Sequence, residues 1–229
     1  MEDLPIYISI FFILTTFLSV WLFYRASSNS KMVLIILLVW LAIQAKISIS
    51  GFYKVANIFP VRFLLLMIPP VLLILSLFIT TKGRQFMDSL EIKSLTLLHV
   101  VRVPVEIVLF FLFLNKVVPK LMTFEGRNFD ILAGLTAPVI YYWGFIKKQL
   151  SRKLILIWNF ICLLLLLNIV INAVLSAPLP FQKFAFDQPN IAILYFPFNW
   201  LPSCIVPLVL FSHLVSIRQL MGSKSKNQG

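Results

Sequence analysis

Residues 94–118 read Ser-Leu-Thr-Leu-Leu-His-Val-Val-Arg-Val-Pro-Val-Glu-Ile-Val-Leu-Phe-Phe-Leu-Phe-Leu-Asn-Lys-Val-Val. A run of this length and apolarity reads as a membrane-spanning helix, since about 20 residues rising ~1.5 Å each cross a hydrocarbon layer of ~30 Å. It carries three ionisable residues, His99, Arg102 and Glu106, whose spacings of three and four put them on one helical face. A charge at the bilayer centre costs roughly 2.5–3.5 kcal/mol on insertion scales, so such a face reads first as a functional site. Counted from Lys93, His99 lies about 9 Å along the helix, Arg102 about 13 Å and Glu106 about 20 Å. Arg102 and Glu106, at i and i+4, are expected to neutralise each other. One reading is then a buried ion pair that fixes helix packing. The other is a polar cavity, ion path or ligand site, and it accounts for His99 on the same face.

Composition extends this reading to the whole chain. Of 229 residues, 60% are hydrophobic and 12% charged, about half the charge of a soluble domain. Mean hydropathy is +0.97. The expected fold is all-α: a single polytopic membrane bundle over 1–229, with spans at about 5–24, 32–53, 58–80, 94–118, 130–147, 152–176 and 194–217. The net charge of +12 does not point to nucleic acid, because the basic residues sit in short clusters between apolar runs. Alternate connections 25–31, 81–93, 147–153 and 218–229 hold twelve Lys and Arg; the opposite side holds six. By the positive-inside rule the amino terminus is outside and the carboxyl terminus cytoplasmic. The first span lacks a basic n-region and a small-residue cleavage site, so it is expected to remain as a helix.

Segment 81–93 alternates as a short interfacial helix, with Phe86, Leu90 and Met87 toward lipid, or as an ordinary connecting loop. Pro69, Pro70, Pro104, Pro138, Pro197, Pro202 and Pro207 predict kinks, most of all in the third and seventh spans. A faint repeat relates Phe59-Pro60 through Pro70 to Phe196-Pro197 through Pro207, matching Leu64 with Leu201 and Ile68 with Ile205. It suggests two parallel three-helix units joined by the fourth span, a 3+1+3 arrangement.

His213, on the seventh span, is expected at a depth similar to that of His99. Two facing histidines are one way to hold a b-type haem, with Arg102 on a propionate, although two histidines by themselves equally suit hydrogen bonding or snorkelling. On the outer side, Glu125, Arg127, Asn128 and Asp130 surround Gly126. With Lys46 they read either as a vestibule above Glu106 or as interfacial loops anchored by Phe124, Phe129, Phe181 and Phe184. Cys162 and Cys204 have no metal-motif spacing and read as packed thiols. No H-E-x-x-H, G-x-S-x-G, P-loop or G-x-G-x-x-G occurs, so no catalytic residue and no metal site is expected. The seventh span has no lysine for a retinal Schiff base.

The runs Leu98-His99-Val-Val-Arg102-Val-Pro104-Val-Glu106, Met122–Asp130 and Pro207–His213 resemble an uncharacterised family of small multipass bacterial membrane proteins. The resemblance implies a bacterial inner-membrane location and brings no activity, cofactor or ligand. From the residues, the leading expectation is small-solute or proton-coupled transport, with lipid and an unknown small molecule or ion as partners. Glu106 would titrate or bind the ligand, with Arg102 as its partner. A haem-binding electron carrier, a membrane-embedded enzyme acting on lipid, and a non-catalytic sensor or assembly factor are the alternatives.

Overall fold

The computed structural model describes residues 4–54 and 62–222, and within them the chain is helical without strands. Helix α1 (Ile6–Ala26) turns through Ser28 and Asn29, both with left-handed φ, into α2 (Lys31–Ile49). Ser30 caps α2 by accepting the Val33 N–H. Helix α3 (Leu64–Ile79) bends by 96° into the short α4 (Thr81–Ser89), with Thr80 capping the latter. Then follow α5 (Ile92–Leu114), α6 (Ile131–Ile146), α7 (Arg152–Leu175) and α8 (Leu201–Gly222).

Helices α1, α2, α5, α7 and α8 are long and apolar enough to cross a membrane; α3 with α4 makes up to six. This composition is compatible with an integral membrane protein. Length alone does not give the expected seven crossings. The apolar run between Asp130 and Lys147 is too short, so α6 falls below span length. The start of the expected third span, with Phe59 and Pro60 of the repeat, lies outside the described residues, although the matched Leu64 and Leu201 both open helices.

Two boundaries move for identifiable reasons. Helix α5 stops at Leu114, short of the expected Val118, because Lys116 takes a left-handed φ. Val117 and Val118 instead accept hydrogen bonds from the Ile191 and Ala192 N–H groups and from Gln188 Nε2. Helix α8 begins at Leu201, not at 194, because the preceding segment docks on α2. Asn199 Nδ2 donates to the Gln44 carbonyl (3.1 Å) and Trp200 Nε1 to the Leu41 carbonyl (3.0 Å). Pro207 lacks the N–H that would bond the Ser203 carbonyl, and Trp40 Nε1 donates to that carbonyl at 2.8 Å. A neighbouring helix thus satisfies the group a proline frees.

The centre is formed by α5 and α8, the two most buried of the long helices, packed on each other. Helices α1 and α6 cover α5; α3, α4 and α7 cover α8. The α4 segment is a helix, but Met87 and Leu90 do not face lipid. Both are buried, and Gln219 Nε2 donates to their carbonyls. Helix α8 runs on to Gly222, past the expected end at 217, and supplies the surface that covers them. Arg218 pairs with Asp88 at 3.0 Å, the Glu91 N–H bonds the Ala26 carbonyl, and Arg152 bonds the carbonyls of Gln219 and Leu220. The described residues of the basic connections therefore share one end of the bundle, and the 115–130 and 176–195 segments share the other.

The bend between α3 and α4 depends on Gly83. A Cβ there would lie 2.3 Å from the Leu77 carbonyl oxygen and 2.4 Å from Leu77 Cα. Backbone atoms cannot yield to it, so Gly83→Ala is expected to cost about 1–3 kcal/mol. Thermal unfolding in detergent should show a lowered midpoint. Gly222→Ala, with nothing within 4 Å of its Cβ, should leave the midpoint unchanged. Equal midpoints for the two variants would contradict the close contact.

Candidate functional site

Pro104 sets the local geometry of α5. Its missing N–H would have bonded the Val100 carbonyl, and the backbone tightens to a 3-10 turn over His99–Val101, directly before Arg102. Helix α6 meets α5 at this level through small residues. Ala133 and Ala137 are buried, and a Cβ on Gly134 would lie 2.8 Å from Val103 Cγ2 and 2.9 Å from Val103 N. Close backbone approach through small side chains is the usual way such helices pack. It brings Asp130, at the start of α6, within reach of Arg102.

The expected i, i+4 pair does not form. Arg102 Nη1 donates to Asp130 Oδ1 at 2.9 Å and to the Cys162 carbonyl at 3.2 Å, and Nη2 donates to His213 Nε2 at 2.9 Å. All four residues are buried. The guanidinium has no acceptor site, so His213 Nε2 accepts, and the imidazole is the tautomer protonated at Nδ1. Nδ1 then donates to Asn159 Oδ1 at 2.9 Å, while Asn159 Nδ2 donates to the Ile155 carbonyl. Arg102 is thus fixed by three helices besides its own.

Glu106 is held differently. Its Oε1 accepts from Asn128 Nδ2 at 2.5 Å, and the same nitrogen reaches the Met122 carbonyl. Asn128 Oδ1 accepts the Asp130 N–H at 3.0 Å, an Asx turn that ties both carboxylates to one loop. Glu106 Oε2 is buried and has no hydrogen-bond partner among the described residues. Glu106 and Asp130 line a cavity of about 60 Å³, room for a few waters. The rest of its wall is almost entirely apolar, from α3, α5, α7 and the start of α8. Met67, Val170, Leu201 and Val206 on that wall, from α3, α7 and α8, are only half-buried, and the cavity is not fully enclosed.

His99 and His213 do come together, as stacked rings with centroids 3.8 Å apart and planes within 15°. Trp158 meets His99 edge-on at 5.6 Å. Neither His99 nitrogen has a hydrogen-bond partner among the described residues. This arrangement does not fit the haem expectation. Bis-histidine ligation needs two nitrogens aimed at one iron from opposite faces of the macrocycle. Here the rings lie against each other, and both His213 nitrogens are engaged by Asn159 and Arg102.

The outer vestibule residues divide. Asn128 and Asp130 are buried in the site; Lys46, Glu125 and Arg127 are exposed and do not join it. Asn159, Trp158 and Gly134 complete the site and were not singled out in the sequence. Asn159 had a visible signal, because it shares the helical face of Ile155, Cys162, Leu166 and Ile169 in an otherwise apolar run.

Removing one member of a buried pair strands the other charge, at roughly 3–5 kcal/mol. Arg102→Met should therefore destabilise the protein strongly, and adding Asp130→Leu should recover most of the loss. Adding Glu106→Leu to Arg102→Met should recover much less. Thermal unfolding of the three variants in detergent measures this. Better recovery with Glu106→Leu would restore the i, i+4 pair.

No curated protein and no solved structure matches the chain. A family model does match, over residues 58–221, a range that contains all three runs on which the sequence resemblance to an uncharacterised family rests. The chain belongs to this family, described as a Domain of unknown function (DUF8737).

Proposed function

We propose that the protein is an integral membrane protein of a bacterial inner membrane, crossing it seven times with the amino terminus outside. In this reading α6 is the short crossing, pressed against α5 at the level of Arg102. The described residues of the basic connections share one end of the bundle, and that end is cytoplasmic by the positive-inside rule. The matched starts of α3 and α8 divide the crossings as 3+1+3.

The function is proton-coupled transport of a small solute, with Glu106 as the group that takes the proton or the solute. What supports this is Glu106, which lines a cavity and whose Oε2 is buried without a hydrogen-bond partner among the described residues. Charge counting supports it. One guanidinium, Arg102, faces two carboxylates, Asp130 and Glu106, and Asp130 holds the ion pair. His213 accepts from Arg102 and brings no charge. The cluster is one positive charge short. A buried uncompensated charge is costly, so the empty site holds a proton on Glu106, and a loaded site holds a cation in its place. Arg102, Asp130, His213 and Asn159 form the fixed frame.

A fluorescent protein fused after Gly229 tests topology and function together, because it matures only on the cytoplasmic side. Wild type and Glu106→Gln should fluoresce equally, as Gln keeps the size of the side chain. Glu106→Gln should nonetheless fail to reverse the phenotype of deleting the gene. Full complementation by Glu106→Gln would overturn the transport reading, and a dark but stable wild-type fusion would overturn the orientation.

A further inference from the structure

The cavity beside Glu106 selects among cations by its walls. Two carboxylate side chains, Glu106 and Asp130, supply its polarity, and apolar residues such as Met67, Leu109, Ile169, Val170 and Val206 supply the rest. A hard metal ion needs six or more oxygen ligands, or water in their place. Among the described residues no cluster of three His, Cys, Asp or Glu side chains suits a metal. A primary ammonium needs less: acceptors for its three N–H groups, among them a charged carboxylate, and an apolar surface for its substituent.

We infer that the site takes a protonated primary amine, its ammonium on Glu106 Oε2 and its alkyl chain lying in the flank between α3 and α7. This assignment rests on the reading of Glu106 as the exchanging group and names the solute class for it. The enclosed volume of about 60 Å³ admits the ammonium and its first carbons. A longer chain leaves through the half-buried mouth at Met67, Val170 and Val206. Toward the outer end of the cavity, Tyr53, Phe63, Ala177, Leu179 and Ile193 belong to a second buried apolar cluster, and Phe63 and Ile193 also line the cavity. Entry is then sideways, from the hydrocarbon. A phosphate next to the ammonium would set a third anion beside Glu106 and Asp130, so the ligand is a simple amine and not a zwitterionic headgroup. The amine and the proton compete for one carboxylate, which couples their movements without a second site.

Equilibrium dialysis of the purified full-length protein against hexylammonium chloride, with hexan-1-ol and hexanoate in parallel, tests this. The wild type should retain about one hexylammonium per chain above micelle partition, and neither the alcohol nor the anion. Glu106→Gln should bind hexylammonium about tenfold or more weakly, the worth of one charge-assisted hydrogen bond. Val170→Phe, which fills the mouth and leaves every polar group in place, should weaken it as well. Equal retention of hexan-1-ol, or undiminished binding by Glu106→Gln and Val170→Phe, overturns the amine assignment. If Glu106→Gln still fails to complement the deletion in that case, proton coupling stands and only the solute class falls.

Discussion

Everything in the interior is arranged around the guanidinium of Arg102. A buried cation needs compensation, and here three other helices supply it to the Nη atoms: the Asp130 carboxylate from α6, the Cys162 carbonyl from α7 and His213 Nε2 from α8, while Nε has no partner among the described residues. Each contact fixes a helix relative to α5. Gly134 and the alanines beside it let α6 come close enough for the ion pair, and Asn159 holds His213 in the accepting tautomer. A single side chain thus sets the mutual positions of four helices. A purely apolar interior would specify these positions less sharply, because apolar contacts in lipid gain little over contacts with lipid itself.

With Arg102 committed to Asp130, Glu106 is released from the role its spacing suggested. Among the described residues its hydrogen-bond partner is the neutral amide of Asn128, its second oxygen is buried without one, and the residue lines the cavity. The division of labour between the carboxylates follows from geometry. Asp130 sits at a helix start pressed on α5, within reach of Arg102, whereas Glu106 lies one turn further along α5, on the cavity wall. Histidine stacking serves the same frame. His99 packs flat on His213 and is shielded by Trp158, which keeps the far side of the Arg102 cluster closed.

The sequence conveyed the long apolar helices and the polar face of residues 99–106, because both are periodic signals within one segment. It located His213 at the right level through its distance from the basic end. It misassigned the partner of Arg102, since i, i+4 spacing is local and Asp130 lies 28 residues away. Helix ends were misplaced where side chains capture backbone groups. Asn199 and Trp200 hold the chain before α8 on α2, and Lys116 turns the chain after α5. Such captures depend on tertiary neighbours and leave no periodicity. The vestibule residues looked alike in sequence; burial separates Asn128 and Asp130 from Lys46, Glu125 and Arg127.

On the proposed reading, the buried cluster lacks one positive charge and a proton on Glu106 supplies it when the cavity is empty. Infrared spectroscopy of the purified protein at neutral pH reads this directly, through the carbonyl stretch of a protonated carboxylic acid. An ionised carboxylate does not absorb in that range. One such band is expected in the wild type, and it should disappear in Glu106→Gln. A wild-type spectrum without the band, or a band that survives Glu106→Gln unchanged, would contradict it.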